Sequence, residues 1–224
     1  MKQTPAHDGH NPDLLRMIPQ SASRLIEIGC SSGALARAYK ELNPTCHYRG
    51  VDVDPEYAEI ARNYTDECLT LDIEHGDHEF WQKNADRDCW IFGDTLEHLR
   101  DPWLVLSRIK SHLPAHGCVV ACIPNAQHWS LQVRLCLGDF RYQDSGLLDR
   151  THLRWFTRQT IIEMFDQAGF KIEAGIARTF DEPNRMPFIQ LIEQMAQSAG
   201  TDSSQAVQDA LPLQYVFRAV AKSN

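Results

Sequence analysis

Leu25-Ile26-Glu27-Ile28-Gly29-Cys30-Ser31-Ser32-Gly33-Ala34 runs from an apolar strand, through a tight Gly/Ser turn, into a helix that the pattern extends from Ala34 to Leu42. The next apolar segment ends on an acid, in Tyr48-Arg49-Gly50-Val51-Asp52-Val53-Asp54-Pro55. Strand, glycine turn, helix, strand and carboxylate follow in the order by which an α/β sheet builds a pocket for a nucleoside. The turn lets backbone approach the ligand, and the carboxylate accepts from the ribose hydroxyls. Asp52 would alternatively cap the helix that Pro55 opens, although Asp54 is better placed for that.

A dinucleotide site asks for G-x-G-x-x-G, whose second glycine admits the pyrophosphate. Here the six positions read Gly29-Cys30-Ser31-Ser32-Gly33-Ala34, with serine at the second glycine and alanine at the last. A nicotinamide-dependent oxidoreductase is therefore disfavoured.

The rest of the chain keeps strands and helices alternating. Asn11-Pro12-Asp13 starts a helix with Leu14, Leu15 and Ile18 on one face, stopped by Pro19. Strands are predicted over Arg24 to Ile28, His47 to Val53, Cys68 to Leu71, Cys89 to Phe92 and Cys118 to Ile123. Pro55 opens a helix through about Tyr64, and Trp103 to Leu113 has helical periodicity. Glu74 to Arg87 reads as polar and irregular, anchored by Phe80 and Trp81. Such alternation predicts a parallel sheet covered on both faces, with its ligand beyond the carboxyl ends of the strands. The pattern then breaks over Ala126 to Arg154, which is long and aromatic-rich. Thr157 caps a helix to Ala168, Phe170 to Ala177 is a strand, and Pro187 to Ala199 is an amphipathic helix. Gly200 to Gln205 reads as a polar loop and Gln214 to Ala221 as the last strand; Met1 to His10 is expected to be mobile.

A chain of 224 residues suits one α/β domain. The formal net charge of -8 supplies no general attraction to nucleic acid or anionic lipid. Arg141, Arg150, Arg154 and Arg158 fall close together, as a local basic patch or as solvated arginines. Seven cysteines without a C-x-x-C pair suggest reduced thiols in a cytoplasmic protein, with Cys118 and Cys122 in the core. There is no apolar run of signal-peptide type, and no stretch approaches the ~20 apolar residues of a membrane span.

Several segments, in order, resemble one family. Glu27, Gly29 and Gly33 read as E-x-G-x-x-x-G, which resembles motif I of class I S-adenosylmethionine methyltransferases. Leu15 to Pro19 followed by Arg24 to Gly33 looks like the entry of that fold. Asp94-Thr95-Leu96-Glu97-His98-Leu99-Arg100-Asp101-Pro102 resembles the D-x-L-E-H-L-x-D-P segment after strand four. Asp149-Arg150-Thr151-His152-Leu153-Arg154-Trp155-Phe156-Thr157 resembles a D-x-T-H-L-R-[FW]-F-T segment of methyltransferases found with, or fused to, bacterial glycosyltransferases. The resemblance covers most of residues 11 to 180 and, more loosely, the final strand. It implies a Rossmann-like, seven-stranded, mostly parallel sheet with helices on both faces and a lid after strand five. The whole of 1-224 would be a single domain, with acceptor-side insertions at 126-156 and 181-212. Two departures stand out: Ser31 replaces the commoner middle glycine of the turn, and Asp88-Cys89-Trp90 replaces F-D-x-I, so that Trp90 implies altered packing.

The resemblance also implies roles. Gly29, Cys30 and Gly33 would let backbone close on the amino-acid end of S-adenosylmethionine, and Glu27 would orient that end. Asp52 would take both ribose hydroxyls, and Val53 would flank the adenine face. Asp72 and Ile73 would read the adenine edge, although Asp72 suits a cap or turn equally well. Gly93 and Asp94 would line the sulfonium side. The acceptor would be a hydroxyl of a sugar, nucleotide-sugar or glycan intermediate, and its proton needs a base. His152 is the first candidate and His98 and His128 are the others, since histidine titrates in the right range. His152 would otherwise pin the lid through backbone, and Glu97 and His98 would otherwise hold their loop or cap a helix. Asp149 would accept the proton, orient a histidine, or with another acid bind a divalent cation. His128, Arg150 and Arg154 would contact the acceptor, the arginines suiting a phosphate or pairing with nearby acids. Glu74-His75-Gly76-Asp77-His78 has metal-binding residue types but no ligand set on one face, and no metal is expected. A glycosyltransferase partner and a homodimer are compatible with this reading. The rivals are methylation of a quinone, phenol or amine, and a non-catalytic S-adenosylmethionine-binding scaffold in glycan assembly.

Overall fold

Five parallel strands carry the first half of the chain: β1 (Arg24–Ile28), β2 (His47–Asp52), β3 (Glu67–Thr70), β4 (Cys89–Gly93) and β5 (Cys118–Pro124). The computed structural model describes residues 9–222. Of the N-terminal stretch expected to be mobile, residues 1–8 lie outside them. Two further strands, β6 (Phe170–Arg178) and β7 (Gln214–Ala221), complete a sheet of order β3-β2-β1-β4-β5-β7-β6. β7 is antiparallel to both of its neighbours. This is the seven-stranded, mostly parallel sheet expected of a class I methyltransferase.

Side-chain alternation along the strands builds two cores. Ile26 and Ile28 of β1, Trp90 and Phe92 of β4, and Val119, Ala121 and Ile123 of β5 face one side. There they meet α4 (His78–Lys83), α5 (Pro102–His112) and α7 (Arg158–Gln167). Leu25, Ile91, Val120 and Cys122 face the other side, against α1 (Pro12–Met17) and α2 (Ala34–Leu42). β5 is buried along nearly its whole length, which explains its continuous apolar run. Six of the seven cysteines are buried free thiols, Cys118 and Cys122 among them, and Cys136 is exposed.

Four segments differ from the sequence reading. Residues 74–87, expected to be irregular, contain α4, because Asp77 caps it by accepting from the Phe80 backbone N–H at 2.8 Å. The aromatic-rich segment contains α6 (Trp129–Cys136). The polar loop at 200–205 is entered by α9 (Ser203–Ala210), capped by Asp202. The helix opened by Pro55, α3 (Pro55–Ala61), stops short of Tyr64. Polar sequence hid two of these helices, since only one narrow face of each is buried.

Trp90 sits at the centre of an aromatic cluster. Fully buried, it stacks on Trp81 of α4 with centroids 5.8 Å apart and planes at 18°, and it meets Phe80 edge-on at 6.5 Å. Trp90→Ala is expected to destabilise the chain by about 3–5 kcal/mol, as truncation of a buried aromatic does. The urea unfolding midpoint checks this.

Chain direction places the site. From β1 the connections run outward through α2 to β2, and the chain later returns on the other side of β1 as β4. The loops after β1 and β4 therefore diverge above the middle of the sheet, where such folds open a crevice.

Candidate functional site

A cleft of about 840 Å³ lies over the carboxyl ends of β1, β2 and β4. One end is built by the turn after β1. Gly29 (φ +73°), Ser31 (φ +47°) and Gly33 (φ +80°) all take left-handed backbone there. A Cβ on Gly29 would stand 2.6 Å from Thr95 Oγ1, so glycine is required where the loops after β1 and β4 touch. For Ser31 the conformation costs about 1–2 kcal/mol. It is held by the Ser31 backbone N–H donating to Asp52 Oδ2 at 2.8 Å. The other Asp52 oxygen accepts from the Asp54 N–H at 2.9 Å, while Asp54 itself caps α3. Asp52 is thus not the cap. Asp52 borders the cleft, and its two oxygens offer about four acceptor sites to share between these N–H groups and the hydroxyls of a ligand. Burial pushes its pKa up, and the N–H bonds from Asp54 and Ser31 pull it back.

Glu27 lies behind the turn and accepts from Tyr48 Oη at 2.9 Å. Burial pushes its pKa up to about 8. Below that pH the native carboxyl holds a proton that the unfolded chain, with a pKa near 4.5, has released. The native state therefore binds the extra proton between these values, and the contribution of Glu27 to stability declines as pH rises from about 4.5 to about 8. Glu27→Gln is expected to remove this slope, as read by urea midpoints at several pH values, and to weaken S-adenosylhomocysteine binding.

Cys30, Val53, Asp72, Ile73, Gly93 and Asp94 also line the cleft. Cys30 Sγ lies 3.6 Å from Cys68 Sγ. Asp72 Oδ1 caps the turn Ile73–His75 through the Glu74 N–H at 2.9 Å, and the residue borders the cleft. Asp94 (φ +52°) accepts from Gln214 Nε2 at 2.5 Å, which ties β7 to the site.

The other end joins two segments far apart in sequence. Glu97 and His98 lie in the 3₁₀ turn Leu96–His98 after β4. Leu153 and Arg154 donate their backbone N–H groups to the Glu97 carbonyl at 2.9 and 3.0 Å, which pins Asp149–Arg154 against that turn. Glu97 is 1% exposed, and neither carboxylate oxygen has a hydrogen-bond partner among the described residues. Burial, with Asp94 and Asp149 nearby, pushes its pKa well up. His98 Nδ1 sits 3.2 Å from the Thr151 carbonyl and 3.0 Å from Thr151 Oγ1. Thr151 Oγ1 in turn donates to Asp149 Oδ1 at 2.6 Å. The His98 and His152 rings meet edge-on at 4.8 Å, and His152 Nε2 is 3.9 Å from Glu97 Oε1. Burial, then His98, lowers the His152 pKa to about 4.

Three expected acceptor residues stand elsewhere. His128 is buried between α6 and the loop before α8 (Met186–Ser198), with Nδ1 2.8 Å from Ser130 Oγ and Nε2 3.3 Å from Glu182. Arg150 pairs with Asp144 at 2.6 Å, and Arg154 donates to the carbonyls of Leu153 and Arg100. None of the three lines the cleft: His128 and Arg150 are drawn to partners outside it, and Arg154 to backbone carbonyls of the cleft residues Leu153 and Arg100. Of the two insertions, 126–156 supplies cleft residues from Ser145 to Leu153, whereas none comes from 181–212. That second segment packs through Ile189, Ile192 and Ala210 against Trp129 and so buttresses α6. Glu74 is occupied with the N–H groups of Arg100 and Asp101, and His75 with Asp72.

Sequence reasoning passed over Tyr48, Thr151 and Gln214. Their contacts cross 21, 53 and 120 residues and leave no local pattern. Gly9, His10 and Asn11 also border the cleft, from a segment whose only local signal was a helix cap.

Residues 9–174 match the family described as a methyltransferase domain. Among curated proteins none matches the sequence. Solved structures share the fold. One is a chain of the complex between the Haloferax volcanii Trm112 methyltransferase activator and a methyltransferase, at TM-score 0.62 and 19% identity over 95% of this chain and 88% of that one. Another is an S-adenosylmethionine-dependent methyltransferase from Mesorhizobium loti, at 0.60 and 15% over 93% and 96%. A third is magnesium protoporphyrin IX methyltransferase from Synechocystis with S-adenosylhomocysteine bound, at 0.57 and 12% over 91% and 76%. With a nucleoside cleft at the expected turn and a family match across three quarters of its length, the chain belongs to the methyltransferase domain family, and it is an enzyme that takes its methyl group from S-adenosylmethionine.

Proposed function

We propose that this enzyme methylates a hydroxyl oxygen of a polar, sugar-like acceptor: a sugar, nucleotide-sugar or glycan intermediate. The character of the far end of the cleft carries this reading. Glu97, His98, Asp149, Thr151 and His152 converge there, and Tyr57 is the one Phe, Tyr or Trp among the lining residues. A flat phenol or quinone would find little to stack on, whereas a polyhydroxylated ring finds donors and acceptors. The likeness of Asp149 to Thr157 to methyltransferases found with glycosyltransferases supports the same acceptor class, and a glycosyltransferase as a working partner. Arg150 and Arg154 lie outside the cleft, so the reading rests on hydroxyls and not on a phosphate.

In this mechanism the acceptor oxygen lies in line with the methyl–sulfur bond, and holding it there supplies much of the rate. Asp52 and the glycine turn fix the donor, while the histidine pair receives the hydroxyl. His152, held neutral by burial, accepts a hydrogen bond from the hydroxyl and orients it. Incubation of the full chain with labelled S-adenosylmethionine and a panel of free sugars, nucleotide-sugars, catechols and amines tests the proposal. Label on a sugar hydroxyl is expected. Label only on catechols, phenols or amines, or on none of the panel, contradicts it.

A further inference from the structure

We infer that Glu97, His98 and His152 form a binding site for one divalent first-row transition cation at the acceptor end of the cleft. Only the cation's role, not its binding, rests on the acceptor reading above. One ligand atom from each side chain lies within 4.8 Å of the others, the one such group of ligating side chains among the described residues. Two imidazoles and a carboxylate on one side of an ion leave its remaining positions open to water or an acceptor oxygen. A triangle with 4.8 Å edges has its centre about 2.8 Å from each corner. Ligand distances of about 2.0–2.2 Å are then reached by side-chain shifts of under about 1 Å.

The second observation is Glu97 itself. Its side chain is almost wholly buried, yet both oxygens lack a hydrogen-bond partner among the described residues. A buried carboxyl without partners is costly, and a cation between it and two imidazoles removes that cost. The histidines are prepared for the same task. The Thr151 carbonyl can only accept, so His98 Nδ1 carries the proton and Nε2 presents its lone pair. Thr151 is fixed in turn by Asp149. An imidazole whose rear nitrogen donates to a carbonyl, with a carboxylate behind it, is the usual support of a metal-bound histidine. His152 turns Nε2 toward Glu97 and hydrogen-bonds the Leu147 backbone. Imidazole ligands favour Fe²⁺, Co²⁺ or Zn²⁺ over Mg²⁺, which demands oxygen, while Mn²⁺ can use the carboxylate and water of this mixed set.

With His152 Nε2 on the ion, the ion in place of His152 would hold the acceptor hydroxyl and would lower its pKa. The proton leaves to solvent and the oxygen attacks the methyl carbon. The O–C bond forms as the C–S bond breaks, and the electron pair stays on sulfur, which departs as a neutral thioether.

The test is titration of the chelator-stripped full chain with Mn²⁺, read by loss of the free-ion electron paramagnetic resonance signal, and with Co²⁺, read by its visible bands. One ion per chain is expected in the wild type. Glu97→Gln and His152→Ala should lose it, and Thr151→Val should weaken it about 10–100-fold, as loss of a supporting contact does. S-adenosylhomocysteine binding by each variant reports intact folding. Thr151→Val, which deletes one hydroxyl, keeps the test decisive if a ligand variant misfolds. No uptake by the wild type, or uptake unchanged in Glu97→Gln and His152→Ala, overturns the inference. Uptake as expected without methylation of any sugar supports the site and overturns the acceptor reading. Sugar methylation by a chain that takes up no ion does the reverse.

Discussion

Asp52→Ala is expected to weaken S-adenosylhomocysteine binding by about 10²–10⁴-fold. Two hydroxyls bonded to one carboxylate are worth about 1.5–3 kcal/mol each, or roughly 3–6 kcal/mol together, and each 1.4 kcal/mol is tenfold. A second loss adds to this. Asp52 Oδ2 holds the Ser31 N–H at 2.8 Å, and Ser31 is the non-glycine residue in left-handed backbone within the turn. Without that bond the turn is free to relax toward the ordinary region, which moves the Gly29 and Gly33 backbone away from the ligand. Asp52→Asn separates the two effects. Its amide oxygen still accepts from Ser31, but one acceptor for the hydroxyls becomes a donor. Calorimetric titration of the three proteins is the measurement. Equal affinity in wild type and Asp52→Ala would show that the carboxylate serves the turn alone.

The second large effect is expected at the other end. His152→Ala should lower methyl transfer by about 10²–10⁴-fold, the range for loss of a side chain that acts on the reacting hydroxyl, by hydrogen bond or through a bound ion. Affinity for S-adenosylhomocysteine should be nearly unchanged, because His152 is grouped with Glu97 and His98, not with the glycine turn. Single-turnover rates with saturating donor, alongside calorimetry, make the comparison. A fall in donor affinity equal to the fall in rate would count against an acceptor-side role. Both ends are buried and 6–7% exposed at Asp52 and His152, so each variant also needs its unfolding midpoint measured.

These two sites were not equally legible. Gly29, Gly33 and Asp52 follow from a local pattern, in which strand, turn and strand end are fixed by a few neighbouring residues. The same locality made the parallel strands readable, as in the continuous apolar run Cys118 to Ile123. The helices over His78–Lys83 and Ser203–Ala210 were not, since their caps sit in polar sequence and only a few residues of each reach the core. Ser31 looked like a departure, and its compensation by Asp52 spans 21 residues. The acceptor end was read through residue types, which found His98, His152 and Asp149 but also His128, Arg150 and Arg154. Which of these face the cleft is decided by partners such as Glu182 and Asp144 that a one-dimensional pattern does not assign. Glu97 was weighed only as a residue that holds its loop or caps a helix. Its significance comes from burial without a partner, a property of the folded chain.

The central claim is that the cleft over β1, β2 and β4 is built for S-adenosylmethionine and not for a dinucleotide. Calorimetric titration of the full chain with S-adenosylhomocysteine, and separately with NAD, tests it most directly. One saturable site for S-adenosylhomocysteine and none for NAD is the predicted result. Binding of NAD alone, or of neither, would contradict the account from its first turn onward.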